Sequence, residues 1–320
     1  MRVSLRPPSF ADVERIAACM QDPETVRWLS SIPVPYSRQD AVDFVGRAAQ
    51  THDRCVLVDG AFAGMIRTGA DLGYWIAPEF RGKGVATRAA QASMMQHFQQ
   101  ADDTARAWYY TGNHGSRRVL EALGFEDVGE IMMEWQGEEK LPARMMELSR
   151  RAFAKALEIR TPRCVITALR DEDMPEVDRV VAWPDAMRTL FHFGPGQDLA
   201  EVDTLIRPST DVLQRPMRMA IRHDGRFIGT IGVEDGVTPL IYYFLAPEAA
   251  GQGFASEVLP AFCDNVQEWF GLTELSAAAF SGHHSARRVL EKAGFKIEFE
   301  GSSPSANAAD PVAGWYIRRA

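Results

Sequence analysis

Two stretches of this chain repeat one another. Gly112-Asn113-His114-Gly115-Ser116-Arg117-Arg118-Val119-Leu120-Glu121-Ala122-Leu123-Gly124-Phe125 recurs as Gly282-His283-His284-Ser285-Ala286-Arg287-Arg288-Val289-Leu290-Glu291-Lys292-Ala293-Gly294-Phe295. The offset is 170 without a gap, and nine of the fourteen positions are identical. Ala77-Pro78-Glu79, Gly82, Gly84 and Ala86 recur as Ala246-Pro247-Glu248, Gly251, Gly253 and Ala255 at an offset of 169. One fold is therefore written twice. A period near 170 is a domain length, far longer than a solenoid unit. The repeat predicts two domains, residues 1–155 and 156–320.

Charge and cysteine content narrow the function classes. Residues 1–150 carry 17 Lys+Arg against 20 Asp+Glu and the remainder 18 against 23, which makes the net charge -8. Neither half has the basic excess that binds a phosphate backbone, so no nucleic-acid partner is expected. Cys19, Cys55, Cys164 and Cys263 stand singly, which excludes a CxxC zinc or redox site and reads as reduced thiols of a cytoplasmic protein. No apolar run approaches about 18 residues, so no membrane span is expected. His283 and His284 have no partners at metal-ligand spacing, so no metal is expected.

The same order of elements is legible in both copies. In the first, a strand at Val3–Arg6 precedes a helix at Asp12–Met20 whose Val13, Ile16 and Ala17 share a face. Pro33–Tyr36 reads as a loop and Arg38–Ala49 as a helix. Cys55–Val58, the Asp59-Gly60 turn and Phe62–Arg67 form a hairpin. A strand at Leu72–Ile76 stops at Pro78, and a helix spans Gly84–Phe98. A strand at Arg106–Tyr110, a helix at Ser116–Leu123 closed by Gly124, and strands at Glu126–Trp135 and Arg144–Ser149 complete the copy. The second copy shows the turn Asp224-Gly225, the strand Leu240–Leu245 and a helix with Ala255, Val258, Leu259, Phe262, Val266 and Phe270 in one stripe. Arg150–Pro162 reads as the linker, and Ser302–Asp310 as a loop between the last two strands.

Chemistry concentrates where the strand ending at Pro78 runs through Arg81-Gly82-Lys83-Gly84-Val85-Ala86 into a helix. Glycines bring backbone N–H groups close to a ligand, and a helix N-terminus adds unpaired donors and a positive dipole end. Such a loop suits a pyrophosphate. It is not a Walker loop, because Val85 follows Gly84 where Lys-Ser/Thr is required. Nor does it match the dinucleotide fingerprint, which needs a third glycine. Taken alone, it reads equally as a tight strand–helix turn without a ligand.

The ordered set of strand, Pro78, Arg81–Ala86, helix, strand, Asn113-x-x-Ser116, helix and Gly124-Phe125 resembles the GNAT acyltransferase superfamily. Leu5-Arg6-Pro7, Pro35-Tyr36-Ser37, Gly73-Tyr74-Trp75 and Asn113 through Glu121 are similar to the subgroup of ribosomal-protein-alanine N-acetyltransferases. The resemblance covers nearly all of the first copy and, more weakly, the second. It implies an α/β (α+β) fold of two tandem GNAT-like domains. Each is a mixed, mostly antiparallel sheet with a splayed central parallel pair and flanking helices. It further implies acetyl-CoA as acyl donor, with its pyrophosphate on the backbone N–H groups of Arg81, Gly82, Lys83, Gly84, Val85 and Ala86. Its pantetheine arm would pair near Ile76 and Ala77, and a primary amine would attack directly. That amine belongs to a small molecule or a protein N-terminus.

Amine attack requires a neutral amine, donors for the developing oxyanion and a proton for the departing thiolate. Many members of the superfamily protonate the thiolate with a tyrosine seven residues after the asparagine, a place held here by Leu120. Ser116 is the implied replacement. Asn113 and Ser116 also read as a helix cap, a role compatible with catalysis. Asp71, before the central strand, and Glu134, beyond Gly124-Phe125, are candidate bases acting through water; either also reads as an ordinary surface acid. In the second copy Arg81 becomes Ala250, Asn113 becomes His283, Ser116 becomes Ala286 and Asp71 becomes Leu240, while Gly251 and Gly253 persist. The expectation is a catalytic first copy and a second that supports it, shapes the cleft or binds coenzyme without turnover. The alternative is an acyl-CoA-binding sensor in which neither copy turns over. Two fused copies are compatible with an internal mimic of a dimer and equally with pairing to another chain.

Overall fold

The computed structural model describes residues 1–30, 32–48, 51–101, 104–136, 139–181, 206, 209–280, 283–302 and 312–319. Residues 303–310 of the expected Ser302–Asp310 loop lie outside them. The chain divides into two compact units, Met1–Ala156 and Leu157–Ala320.

The first unit runs β1 (Val3–Arg6), α1 (Val13–Cys19), α2 (Pro23–Val26), α3 (Arg38–Ala48), β2 (Asp53–Val58), β3 (Ala61–Arg67), β4 (Asp71–Ile76), α4 (Val85–Gln100), β5 (Ala105–Tyr110), α5 (His114–Ala122), β6 (Glu126–Trp135), β7 (Glu139–Leu148) and α6 (Arg150–Ala156). Its seven strands lie in the order β1-β2-β3-β4-β5-β7-β6. Every neighbouring pair is antiparallel except β4 and β5, which are parallel. Strand alternation sends successive side chains to opposite faces. Cys55 and Met65 meet Val13, Ile16, Ala41 and Val45 of α1 and α3 on one face, with Trp75 packed against them. On the other, α4 buries Ala89, Ala90, Met94, Met95 and Phe98.

The second unit runs β8 (Glu158–Arg160), β9 (Cys164–Ala168), α7 (Met174–Val181), β10 (Met217–His223), β11 (Arg226–Val233), β12 (Leu240–Leu245), α8 (Phe254–Phe270), β13 (Glu274–Phe280), α9 (His284–Lys292), β14 (Lys296–Ser302) and β15 (Val312–Arg319). Its sheet reads β8-β9-β10-β11-β12-β13-β15-β14, the first unit's order with β8 added at the edge. Again only the central pair, β12 and β13, is parallel. Val177, Val180 and Val181 of α7 cover Ala220, Phe244 and Ala246 on one face. The α8 stripe buries Val258, Leu259, Phe262 and Val266, and ends on Trp269, where the spacing pointed to Phe270.

The expected linker is ordered structure. Arg150–Ala156 is the helix α6, and Glu158–Arg160 is the edge strand β8. Phe153 is fully buried and stacks on Phe98 with ring centroids 5.6 Å apart. The polar run Arg150-Arg151 hides this, because one anchoring aromatic makes too weak a period to read as a helix. The short α2 also escapes periodicity, although Asp22-Pro23 is a helix-start signal: the Asp22 carboxylate caps the Thr25 N–H at 3.0 Å. Among the described residues no helix is long and apolar enough to cross a membrane.

Two consequences can be measured. Phe153→Ala should lower the unfolding free energy by about 3–5 kcal/mol in urea titration, as for a core aromatic; a linker residue would shift it by less than about 0.5 kcal/mol. Asp12 accepts two bonds from the Arg6 guanidinium at 2.7 and 2.8 Å, and one from the Ser9 N–H. Those arginine bonds, against the opposing effect of burial, hold its carboxyl at about 2. A folded value below the unfolded one stabilises above about pH 4 and is lost as pH falls towards 2. Asp12→Asn should therefore flatten the acid limb of the stability profile, removing on the order of 2 kcal/mol at neutral pH.

Candidate active site

The central parallel pair joins at one end only. Asp71 is opposite Arg106 and Leu72 opposite Ala107, and there the register of β4 and β5 stops. The Arg106 N–H donates to the Ala70 carbonyl at 2.6 Å, so the even residues of β4 turn their backbone groups towards β5. The Ala77 N–H donates to the Ala63 carbonyl on the β3 side at 2.8 Å. Tyr74 and Ile76 thus present N–H and C=O groups to an opening that contains no partner strand. The N–H of Ala77, a residue expected near the pantetheine arm, is taken up by the sheet. The Ile76 carbonyl is also taken, by Arg81 Nε at 3.0 Å, which leaves its N–H on the ledge.

Beyond the opening, a 3-10 turn at Pro78–Phe80 leads to Gly82 and Gly84, with φ of 71° and 76°. A Cβ at either glycine would meet nothing within 4 Å. The left-handed backbone, and not a shortage of room, is what requires glycine there. Gly84 caps α4 without any side-chain acceptor, and the first bond to its carbonyl comes from the Arg88 N–H at 3.1 Å. The amides of Val85, Ala86 and Thr87 therefore lead the helix without intrahelical acceptors. Buried Val85 anchors this end in the core, and exposed Gly82, Lys83 and Gly84 form the rim. This is an anion cradle that fits a pyrophosphate.

Arg81 does not belong to that cradle. Its N–H donates to the Pro78 carbonyl at 3.3 Å. Its guanidinium donates to Asp22 Oδ2 at 2.8 Å and to Thr25 Oγ1, which ties the loop to α2. Burial raises the Asp22 carboxyl, but the bonds from Thr25 and Arg81 outweigh it and leave the group below its ordinary value. Trp135 Nε1 donates to the Arg27 carbonyl at 3.2 Å and the Gln136 N–H to the Ser30 carbonyl at 2.9 Å. The α2 segment is thus held between the cradle loop and the β6–β7 hairpin. The Lys83 ammonium turns back onto the Glu79 carbonyl at 2.7 Å.

At the other wall stands α5. Asn113 is its N-cap, with Oδ1 accepting from the Ser116 N–H at 3.1 Å. Ser116 Oγ lies 3.1 Å from the Tyr74 hydroxyl. The contact spans the opening from β4 to α5. Burial pushes the Tyr74 phenol up to about 12, with the Ser116 bond opposing, so it is a proton donor throughout the neutral range. Sequence reasoning quoted Gly73-Tyr74-Trp75 and gave Tyr74 no role. The signal was its parity, which places it on the α4–α5 face with Leu72 and Ile76.

The two candidate bases separate. Asp71 sits at the closed end of the parallel pair, exposed and on the opposite face from Tyr74. Three residues of strand put it about 10 Å along β4; the structure does not bring it to Ser116. Glu134 is exposed at the open end, where its carbonyl accepts from the Tyr110 hydroxyl at 2.6 Å. Tyr110 ends β5, and its own carbonyl accepts from the Asn113 N–H at 2.9 Å.

The second unit keeps the frame and loses the pair. Leu240 is opposite Ser276 and Ile241 opposite Ala277 before the strands part. Gly251 and Gly253 have φ of 74° and 82°, and Gly253 caps α8 without a side-chain acceptor. Tyr243 stands where Tyr74 does, with burial alone raising its phenol to about 12. Ala286 gives it no hydroxyl to meet. His283 starts α9 without a side-chain cap bond, and its imidazole is lowered by burial.

Comparison with known proteins follows the same division. The family model described as acetyltransferase (GNAT) domain matches residues 2–126 and again 163–296. The putative ribosomal N-acetyltransferase YdaF of Bacillus subtilis (strain 168) is 34% identical over 84 residues, 23% of this chain and 46% of that protein. The match thus spans about half the length of that relative. Among solved structures, an acetyltransferase (GNAT family) from Bacillus anthracis is 16% identical at a TM-score of 0.45, over 51% of this chain and 98% of its own. Spermidine N-acetyltransferase from Vibrio cholerae, solved with CoA and spermine, is 16% identical at a TM-score of 0.44, over 49% and 95%.

Asn113 gives a clean separation of capping from chemistry. Asn113→Ala should cost about 1 kcal/mol of stability, and Asn113→Ser should restore it. If any transfer activity lost in the alanine variant returns with serine, Asn113 acts as a cap; if it stays lost, the amide does more.

Proposed function

The chain belongs to the acetyltransferase (GNAT) family, and from that premise we propose that its amino-terminal unit transfers an acetyl group from acetyl-CoA to a primary amine. The observation that carries this reading is the Tyr74–Ser116 contact across the parted strands, 3.1 Å between hydroxyls, beside an unfilled ledge and an anion cradle. The donor supplies an activated thioester. Gly82, Lys83, Gly84, Val85 and Ala86 hold its pyrophosphate on backbone amides, and Tyr74 and Ile76 align its arm through backbone groups.

Proton accounting assigns the side chains. Becoming an amide costs the attacking amine a proton, and the departing thiolate needs one, so the transfer is balanced overall. Ser116 Oγ gives its proton to the departing thiolate and recovers one from solvent. The Tyr74 hydroxyl, 3.1 Å from Ser116 Oγ and 3.3 Å from the Ser116 carbonyl, holds Ser116 in place. Glu134 takes the proton of the incoming amine through water at the open end, a role Asp71 is too far along the strand to share. The amine must be neutral to attack, from an ordinary value of roughly 8 to 10. A protein N-terminus or a small amine is the acceptor class, the former in keeping with the name of YdaF as a putative ribosomal N-acetyltransferase.

A second reading applies to the carboxyl-terminal unit. Its cradle is retained and its Tyr–Ser pair is broken by Ala286. That combination supports coenzyme binding without turnover.

In a coenzyme-release assay, Ser116→Ala should lower kcat on the order of 10²-fold. Tyr74→Phe should lower it on the order of tenfold, the worth of one orienting hydrogen bond. Neither should move the KM for acetyl-CoA much. Gly84→Ala, strained at φ of 76°, should instead raise that KM on the order of tenfold. Full activity in Ser116→Ala, together with its loss in Gly253→Glu, would transfer catalysis to the other unit.

A further inference from the structure

The two units differ most sharply along one row of cross-strand neighbours. In the first, Asp53 on β2 is opposite Arg67 on β3, which is opposite Gly73 on β4. Asp53 and Arg67 form an ion pair, with Nε 3.3 Å from Oδ1. In the second, the same register places Arg218 on β10 opposite Gly232 on β11, and Gly232 opposite Tyr242 on β12. The acid has become a base, its counter-ion has been deleted, and an aromatic ring fills the room. A Cβ on Gly232 would sit 2.4 Å from that ring, so the glycine is required by the tyrosine.

Arg218 is buried, 6% exposed, and among the described residues no carboxylate bonds it, although the Glu234 charge acts on it. Its guanidinium lies over the Tyr242 ring, 4.3 Å from the centroid. Nη1 donates to Thr230 Oγ1 at 3.1 Å, and Nε is buried without a partner. The Tyr242 hydroxyl donates to the Met217 carbonyl at 3.1 Å, and its oxygen also interacts with the Arg218 side chain. Burying an arginine without its counter-ion is costly, and proteins retain such a charge where something pairs with it. The neighbouring pair shows how this unit satisfies an arginine in the ordinary way: Arg222, two turns of the pleat along β10, grips Asp173 through both Nη atoms at 2.9 and 2.6 Å.

We propose that Arg218 is the anchor of a small-carboxylate site in the carboxyl-terminal unit. The stacked, planar guanidinium keeps its Nε edge for an acceptor, and two parallel N–H donors on that edge match a carboxylate. Thr230 fixes the plane from the opposite edge, and the Tyr242 ring forms the floor. The site lies on the α7 face of the sheet, with Ala220 and Phe244 as its row neighbours on β10 and β12. Tyr242 is also the first β12 residue beyond the last parallel pair, Ile241 with Ala277. The bound carboxylate therefore sits next to where the strands part.

The test is calorimetric titration and thermal unfolding of the full chain with sodium succinate and sodium acetate, against sodium chloride at equal ionic strength. Saturable heat and a rise of a few °C in the midpoint are expected for wild type. Arg218→Met should fold, because it replaces an unpaired buried charge with a volume-matched apolar chain, and should show neither response. Arg218→Lys keeps the charge without the fork and should weaken binding at least tenfold; it decides the matter if the methionine variant does not fold. No saturable response in wild type, or an unchanged response in Arg218→Lys, overturns the proposal. Saturation by inorganic phosphate alone overturns the carboxylate assignment. None of these residues belongs to the amino-terminal site, so failure here leaves the transfer reading untouched.

Discussion

The parting of β4 from β5 after two paired residues governs everything functional in the amino-terminal unit. A sheet normally consumes every N–H and C=O of its inner strands. Here Tyr74 keeps both of its groups, and Ile76 its N–H, pointed at a gap. An extended ligand can take the place of the missing strand, which makes the binding site a piece of unfinished secondary structure. The gap persists because its walls are pinned elsewhere. Ala77 holds β4 to β3, Ala70 and Arg106 close the far end, and α4 and α5 start at the open end with their N-termini facing in. Two helix starts and two strand ends lie at this end of the pair, and the first amides of α4 lead their helix without intrahelical acceptors.

Arg81 shows how the same region is kept rigid. A guanidinium near a phosphate cradle invites assignment to the phosphate, yet this one spends its bonds on Ile76, Asp22 and Thr25. Its contribution is to fix α2 beside the opening. The β6–β7 hairpin fixes α2 from the other side through Trp135 and Gln136. Arg81 becomes Ala250 in the second unit, which removes a brace while leaving the cradle's glycines intact. Loss of an arginine and retention of an anion site are therefore compatible.

The repeat and the strand–loop–helix units were legible from residues alone, because they depend on backbone rules, while the mixed sheet with its parallel pair followed from the family resemblance. Glycines at fixed spacing and a proline that stops a strand announce a strand–loop–helix unit wherever it sits. What escaped depends on distance in space. Tyr74 and Ser116 are 42 residues apart, and no periodicity links them. The α6 helix escaped because its anchor is the single Phe153 against Phe98. Asp71 looked as suitable as Glu134 on paper. Strand parity and the closed end of the sheet distinguish them, and both are properties of the folded register.

Duplication then explains why one copy can diverge at a site the other must keep. The row Asp53–Arg67–Gly73 is a self-contained ion pair, neutral within the fold and indifferent to any ligand. Its counterpart Arg218–Gly232–Tyr242 cannot arise from it by one substitution without leaving a buried charge unpaired. Removal of Arg67's equivalent creates the room that Tyr242 fills, and the ring offers the guanidinium a face worth about 0.5–2 kcal/mol. That is smaller than the several kcal/mol it costs to desolvate an ion. Thr230 and the Glu234 charge supply part of the remainder, and Nε is left for a further acceptor. A unit in which Ala286 stands in place of the serine hydroxyl retains its sheet, its two left-handed glycines and its helices, and places the partly satisfied Arg218 guanidinium beside its own opening.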